Sequence, residues 1–430
     1  MTSLVLFGIF LVLLLINIPI AISIIVATLA TMLLTIDTLP ALTTLAQRLA
    51  VGVDSFALLA IPFFVLSGYL MGQGGIAVRL IEFAKVLVGK LPGGLAFVNI
   101  ISCALFGSIS GSAVAATSAV GGFMVPAMEK EGYSRPFSTA VTVTAATTGM
   151  LIPPSNILII YSLASGGVSI AALFIAGYLP GLLVTALLML GAGYYVKKNG
   201  IATENTIVVG KFLPSLLGAV PCLFLIILII GGIIGGLFTP TEAGAIAVLY
   251  SLVLALGFYR ELSVKDLYPI LLKTVNTTAI VMFLIGASAS MSWLMSYEEI
   301  PQAISNSLLS VSENAIIILL IMNLILLAVG TFMDVTPAVL IFTPIFLPIA
   351  EMLNISPLHF GIMMILNLSI GLCTPPVGSV LFVGCSIGKV SISSIMKPIL
   401  PLYAAMLVAL ALTIIFPEIS EFLPKLLGLI

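Results

Sequence analysis

Apolar runs recur from Leu4 to Phe416 with no long polar interval between them, and this feature alone removes most folds from consideration. A chain of 430 residues that is 61% hydrophobic and 7% charged lacks the polar sequence needed to cover a water-soluble domain. In hydrocarbon every backbone N–H and C=O must find a partner within the protein, so such runs predict transmembrane helices. The chain is therefore expected to be an all-α polytopic membrane protein bathed in the lipid bilayer. A formal net charge of -1 says little about partners, since the distribution of charges matters more than their sum, and no nucleic acid partner is expected. Cys103, Cys222, Cys373 and Cys385 lie in apolar segments without C-x-x-C spacing and read as packing residues rather than a disulfide framework or zinc site. The first cation is Arg48 and no A-x-A-like site follows the first run, so the N-terminal segment is expected to be retained.

Ten stretches read as crossings: 4–16, 19–36, 52–72, 137–163, 170–196, 212–236, 239–258, 274–296, 358–387 and 398–417. Two further stretches, 93–128 and 313–350, are too long for one span and carry small polar residues at their midpoints: Ser108, Ser110 and Ser112 in the first, Thr331, Asp334 and Thr336 in the second. Each is either two full spans or a re-entrant hairpin of two half-length helices, and the polar midpoints favour hairpins. In both cases thirteen of the fifteen Lys and Arg residues fall on one side, Lys211 and Lys273 among them, with Arg48 and Lys425 opposite. The positive-inside rule places the thirteen in the cytoplasm and both termini outside.

The segment "GMLIPPSNIL" at Gly149 has a counterpart, "GLCTPPVGSV" at Gly371, 222 residues further on. The same offset pairs Pro126 with Pro348 and Ser134 with Ser356, and carries Ser110 onto Phe332. Residues 1–204 and about 212–430 thus read as two copies of one unit, joined by the polar "KKNGIATENT" from Lys197 to Thr206. Five crossings per copy is an odd number, which forces the copies into opposite orientation. Charge agrees. Residues 77–90 read as an interfacial amphipathic segment with Arg79, Lys85 and Lys90, whereas the equivalent 299–312 has no cation and follows Glu298.

Proline has no N–H, so Pro153 and Pro154 cannot bond to the carbonyls of Gly149 and Met150, nor Pro375 and Pro376 to those of Gly371 and Leu372. Four acceptors are released near mid-membrane, where an unsatisfied group costs on the order of several kcal/mol. Such carbonyls, with hydroxyls from Ser108, Ser110, Ser112 or Thr331, suit a hard monovalent cation. The second half of each broken helix begins at the prolines and points a positively polarised N-terminus into the same space, where it attracts anions. Carbonyls for a cation beside N–H groups for a carboxylate are what a cation-coupled carrier of organic anions requires. The alternative is a proline kink whose carbonyls are satisfied by neighbouring hydroxyls or water.

Asp334 is an acid deep in a hairpin, either a cation ligand or proton carrier, or the cap of the following helix. Asn156 follows the first proline pair and is a candidate substrate contact, while Asn99 reads as interhelical glue. Glu242, in "TPTEAG", is expected to be solvated or N-capping, and Trp293 to sit with the interfacial aromatics. No enzyme is expected. His359 falls remote from the serine-rich tip, neither H-E-x-x-H nor G-x-S-x-G occurs, and Lys389 of "SIGK" reads as a topology charge. A channel would line its pore with repeated filters or charged rings, whereas two dead-ended hairpins suggest alternating access.

"FGSISGSAVAATSAVGG" from Phe106 to Gly122, with "EGYSRPFSTAV" and "LIPPSN", resembles the large membrane subunit of tripartite ATP-independent periplasmic (TRAP) transporters, and the likeness runs along essentially the whole chain. The resemblance implies an inverted-repeat fold of the ion-transporter superfamily with ten crossings, two re-entrant hairpins, two broken helices and an elevator-type mechanism. It implies a scaffold domain at 1–92 and 205–312, and a transport domain at 93–204 and 313–430. It also implies Na+ coupling, with one ion site involving Ser108, Ser110, Ser112, Gly149 and Met150, and another Gly330, Thr331, Asp334, Gly371, Leu372 and Thr374. Substrate contacts are implied at Ser110, Gly111, Ser155, Asn156, Thr336 and Pro376. The implied partners are a small membrane (Q) subunit and a periplasmic substrate-binding (P) protein that delivers an organic acid, in the inner membrane of a bacterium. Members exist in which the small subunit is fused ahead of the large one, and here a separate partner is expected to dock. The sequence is most similar to the sialic acid branch, with C4-dicarboxylate as the alternative cargo and proton coupling through Asp334 as the alternative drive.

Overall fold

A computed structural model describes residues 2–91, 93–201, 212–312 and 314–430. The expected domain joins at 92, 204 and 313, the far half of the polar link ending at Thr206, and Lys211 lie outside the described residues. The first copy runs α1 (Thr2–Leu15), α2 (Ile20–Thr35), α3 (Thr38–Gly52), α4 (Ala60–Gln73), α5 (Ile76–Val88), α6 (Gly94–Ser110), α7 (Ala113–Lys130), α8 (Arg135–Ala146), α9 (Asn156–Ala164) and α10 (Ile170–Lys198). The second runs α11 (Phe212–Ile234), α12 (Pro240–Leu252), α13 (Leu267–Tyr297), α14 (Ile300–Leu309), α15 (Ala315–Gly330), α16 (Val335–Met352), α17 (Pro357–Gly371), α18 (Ser379–Gly388), α19 (Ile392–Ile415) and α20 (Glu418–Leu426). Between them lie short 3₁₀ turns and a π-helical end to α12, and the described residues contain no strand.

The 222-residue offset is visible helix by helix: α7 and α16 coincide end for end under it, and α10 and α19 both begin after a serine N-cap, Ser169 and Ser391. Packing repeats as well, with partners exchanged. α18 of the second copy lies on α7 of the first and α9 of the first on α16 of the second; likewise α8 packs on α19, and α17 on α10. Reciprocal exchange of this kind is what a two-fold between copies generates. A second grouping gathers α2, α3 and α4 around α13, with α1 on α2 and α12 on α4, and α5 lies between α6 and α11.

Among the described residues seven helices are long and apolar enough to cross a membrane: Phe56–Gln73, Ile170–Lys198, Phe212–Ile234, Pro240–Phe258, Val264–Tyr297, Val335–Met352 and Ile392–Ile415. The stretches 137–163 and 358–387 are each interrupted, as the prolines dictate, into α8 and α9 and into α17 and α18. The stretches 93–128 and 313–350 are helical hairpins, but their arms are longer than the half-length helices expected: α6 has 17 residues and α7 has 18, about 26 Å at 1.5 Å per residue. Apolar length had located the tips without measuring the arms, because a helix stops where its backbone can no longer continue. In the first hairpin that place is Gly111, left-handed at φ 61, a conformation open to glycine at no steric cost. Two helices were not expected, α3 and α20. The Pro417 before α20 separates it from α19, and His359 Nδ1 meets Ser420 Oγ at 2.7 Å to hold it on α17.

Polar groups tie each hairpin to the broken helix behind it. Asn99 on α6 donates to Thr142 Oγ1 on α8 at 2.7 Å, and Asn367 on α17 donates to Asn323 O and Oδ1 on α15 at 2.8 and 2.7 Å. Asn99 is thus the interhelical link expected of it. Replacing Asn323 with Leu removes an acceptor from the buried Asn367 amide, and we expect a loss of about 0.6–2 kcal/mol, read as a lower midpoint in thermal unfolding of the detergent-solubilised chain; an unchanged midpoint would show that the pair is ornamental.

Candidate functional site

The first hairpin tip is built by one glycine and two serines. Gly111 closes α6, its N–H bonding back to Gly107 O at 2.8 Å. Ser112 turns extended and caps α7, its hydroxyl accepting from Ala115 N at 3.3 Å, as a helix N-terminus with orphan N–H groups requires. Ser110 donates to Ser112 O at 3.4 Å, and Ser108 to Leu105 O in its own helix at 2.8 Å. At the second tip Asp334 occupies the position equivalent to Ser112, its Oδ1 accepting from Val335 N at 2.8 Å. The capping alternative weighed for Asp334 is therefore what the geometry displays, and the side chain is at the same time open to a cavity.

Each break faces its tip at close range. Gly149 lies against the backbone of Gly107, where an added Cβ would collide with it; a Cβ on Gly371 would come 2.6 Å from Gly330 Cα. Thr331 O receives the N–H groups of both Val377 and Gly378 at 3.2 Å, so the second tip is bonded directly to the start of the half-helix α18. Gly111 sits beside Asn156 at the start of α9. The Pro153–Pro154 and Pro375–Pro376 peptides are both cis.

One expectation is corrected here. Of the four carbonyls that the prolines were to leave free, three have found donors: Met150 O accepts from Ser155 Oγ at 2.6 Å, Gly371 O from Thr374 N at 2.9 Å and Leu372 O from Leu381 N at 3.3 Å. Among the described residues only Gly149 O of the four accepts no hydrogen bond. The chain bends back after each proline pair, and the bend supplies N–H and hydroxyl groups that a straight helix would not. A carbonyl oxygen carries two lone pairs, so each keeps one for a cation.

Ser110, Gly111, Ser112, Met150, Asn156, Asp334, Thr336 and Leu372 surround one cavity of about 490 Å3. Both tips and both breaks thus converge, although they are far apart in the chain. Ser155 and Pro376 do not line it. Ser155 is buried with its hydroxyl committed to Met150, and Pro376 is exposed elsewhere on the second break. Ser108, Gly149, Gly330, Thr331, Gly371 and Thr374 lie behind the wall at the tip-to-break contacts, and Thr374 donates to Ile370 O at 2.8 Å.

The opposite wall was missed in the sequence. It comes from α4 and α13: Val65, Gly68 and Tyr69 face Lys273, Thr277 and Val281, with Tyr69 Oη 2.8 Å from Thr277 Oγ1. Lys273 is the cation of this wall, and Asp334 on the second hairpin tip is the acid of the same cavity. Counting Lys273 as a topology charge concealed it, since a lysine that opens an apolar helix reads identically whether it faces water or a pocket.

The sequence and the fold have counterparts. The family described as "Tripartite ATP-independent periplasmic transporter, DctM component" matches residues 7–419. The "Uncharacterized protein YgiK" of Salmonella typhimurium is 55% identical, covering 98% of this chain and 97% of its own. The "C4-dicarboxylate TRAP transporter large permease protein DctM" of Rhodobacter capsulatus is 36% identical over the whole of both chains, and the "Sialic acid TRAP transporter large permease protein SiaM" of Vibrio cholerae is 39% identical over 95% of each. In fold the chain is similar to the crystal structure of the Alcanivorax borkumensis YdaH transporter, with a TM-score of 0.63 and 16% identity over 90% of each chain.

Proposed function

The chain belongs to the DctM component family of tripartite ATP-independent periplasmic transporters and is a large permease subunit, not an enzyme; from that premise we propose that it imports an organic acid by Na+ coupling, in concert with a small membrane subunit and a periplasmic binding protein. The single observation that carries this reading is the convergence of both hairpin tips and both proline breaks on one cavity. Na+ ions bind where each tip meets its break, using Ser108, Ser110, Ser112, Gly149 and Met150 at one and Gly330, Thr331, Asp334, Gly371, Leu372 and Thr374 at the other. The cation–carbonyl contacts order the tips, and the ordered tips with the N-terminus of α9 at Asn156 receive the carboxylate.

In this reading the chain makes ten crossings of a bacterial inner membrane with both termini outside. Residues 1–92 and 205–312 are the scaffold; 93–204 and 313–430 slide past it as an elevator. With the cations inside, the Lys273 end of the cavity faces the cytoplasm. Sialic acid is the cargo we put first and C4-dicarboxylate second. The relatives named for each differ by only a few per cent in identity, so cargo must be decided by transport.

Proteoliposomes carrying this chain with its small subunit decide it, tested with binding proteins loaded with sialic acid or a C4-dicarboxylate. Uptake should require a binding protein and an inward Na+ gradient. Two Na+ carried with one monoanion move net positive charge, favoured by about 2.3 kcal/mol per 100 mV, so an inside-negative potential should accelerate it. Uptake indifferent to both Na+ and voltage would overturn the reading, and uptake without binding protein or saturation would indicate a channel.

A further inference from the structure

A second cavity of about 400 Å3 lies on the same seam as the first, between α3 and α13 on one side and α9 and α16 on the other. The residues of one give way to those of the other within about a turn on all three shared helices. On α13 Val281 lines the first and Ile285 the second; on α9 Ile160 and Leu163; on α16 Thr336 and Leu340. Four residues of α-helix advance about 6 Å. The two chambers are therefore separated by a plug of roughly one helical turn.

The second chamber is equipped for an anion. Arg48 reaches into it with its guanidinium 5.4 Å from the centre of the Trp293 ring, and among the described residues it forms no ion pair. Ser288 is 3% exposed and its hydroxyl has no hydrogen-bond partner, a deficit that a buried polar group carries only at a cost. Ser292, one turn on, also lines the space. A planar, permanently charged fork beside hydroxyl donors is the chemistry that recognises a carboxylate. A cation would meet Arg48 itself.

We propose that this Arg48–Ser288–Trp293 chamber is a second binding site for the organic acid, a vestibule that holds its carboxylate on the face opposite Lys273 before the plug moves. The proposal rests on the reading of the chain as an organic-acid carrier. Trp293 is the one tryptophan of the chain, so its fluorescence reports on this chamber directly.

The purified full chain in phosphatidylcholine nanodiscs is titrated with sodium N-acetylneuraminate, succinate and acetate at constant ionic strength, with sodium chloride as the blank. At least one carboxylate should change Trp293 emission saturably. Arg48→Gln should raise the half-saturating concentration about 10-fold or more, as loss of a charge-assisted hydrogen bond entails, and Ser288→Ala should raise it less. Asp334→Asn, at the other chamber, should leave the titration unchanged while weakening coupled uptake. An equal response in Arg48→Gln, the same response to chloride, or no response to any carboxylate in a wild-type chain that transports would overturn the proposal. A response only when phosphatidylglycerol replaces phosphatidylcholine would assign the chamber to lipid phosphate and overturn it as well. A thermal unfolding midpoint in ligand-free Arg48→Gln equal to that of the wild type guards against misfolding. A saturable signal without Na+-coupled uptake would sink the carrier reading and leave the anion site standing.

Discussion

Asp334→Asn should sharply weaken Na+-driven uptake while leaving the chain as stable as before. Asparagine caps a helix about as well as aspartate, so the Val335 N–H that Asp334 now satisfies at 2.8 Å keeps its acceptor and α16 keeps its start. What is lost is the negative charge on the cavity wall. A bound cation deprived of a charged ligand in a low-dielectric site loses more than the same cation would in water. We expect the half-saturating Na+ concentration to rise at least about tenfold, roughly 1.4 kcal/mol, with a matching fall in uptake at fixed Na+. Initial rates against Na+ concentration, with thermal unfolding of the same preparation, test this. Wild-type Na+ dependence in the variant would remove Asp334 from the ion site and leave it as a cap. If the wild type ignored Na+ and followed a pH gradient that the variant could not use, proton coupling would take its place.

The second large effect belongs to the glycines at the tip-to-break contacts. Gly149→Ala and Gly371→Ala each put a methyl group where backbone already stands, against Gly107 in one case and Gly330 in the other. Backbone yields less readily than the end of a side chain, so the tip must move off the break. Overpacking of this kind costs typically about 1–3 kcal/mol. Since the carbonyls proposed to hold Na+ lie at these contacts, displacing the tip should also remove the ability of Na+ to raise the unfolding midpoint, which is the signature of a ligand that binds only the folded state. Gly122→Ala is the control, because a Cβ there meets nothing within 4 Å. Retention of Na+ stabilisation in Gly149→Ala and Gly371→Ala would show that the ions sit elsewhere.

Much of this was legible before any coordinates. The breaks at Pro153 and Pro375 follow from a missing N–H, a local covalent fact, and the offset of 222 residues between them carried through to the ends of α7 and α16. Ser110, Asn156 and Thr336 were singled out because they stand beside the breaks or at the polar midpoints of long apolar stretches, and Gly111 because the family resemblance implied it; all four line the cavity. The failures have a common cause. The Met150, Gly371 and Leu372 carbonyls were expected free, yet the bend after the prolines gives them the Ser155 hydroxyl and the N–H groups of Thr374 and Leu381. Sequence reveals which hydrogen bonds a proline forbids. It does not reveal which new donors the redirected chain brings up.

Taken by itself, the amino-acid order determined the solvent this chain folds in, the places where its helices must stop, and the duplication of its plan. Each of these depends on apolarity or backbone chemistry within a few residues, so no partner need be known. Tertiary structure alone decided that Lys273 and Tyr69 complete the wall facing Asp334, and that Arg48 meets Trp293 over a buried serine. Those pairings join residues on different helices, Tyr69 with Lys273 and Arg48 with Trp293 more than two hundred positions apart. Their energies depend on distance and on the exclusion of water, and neither exists until the helices have packed.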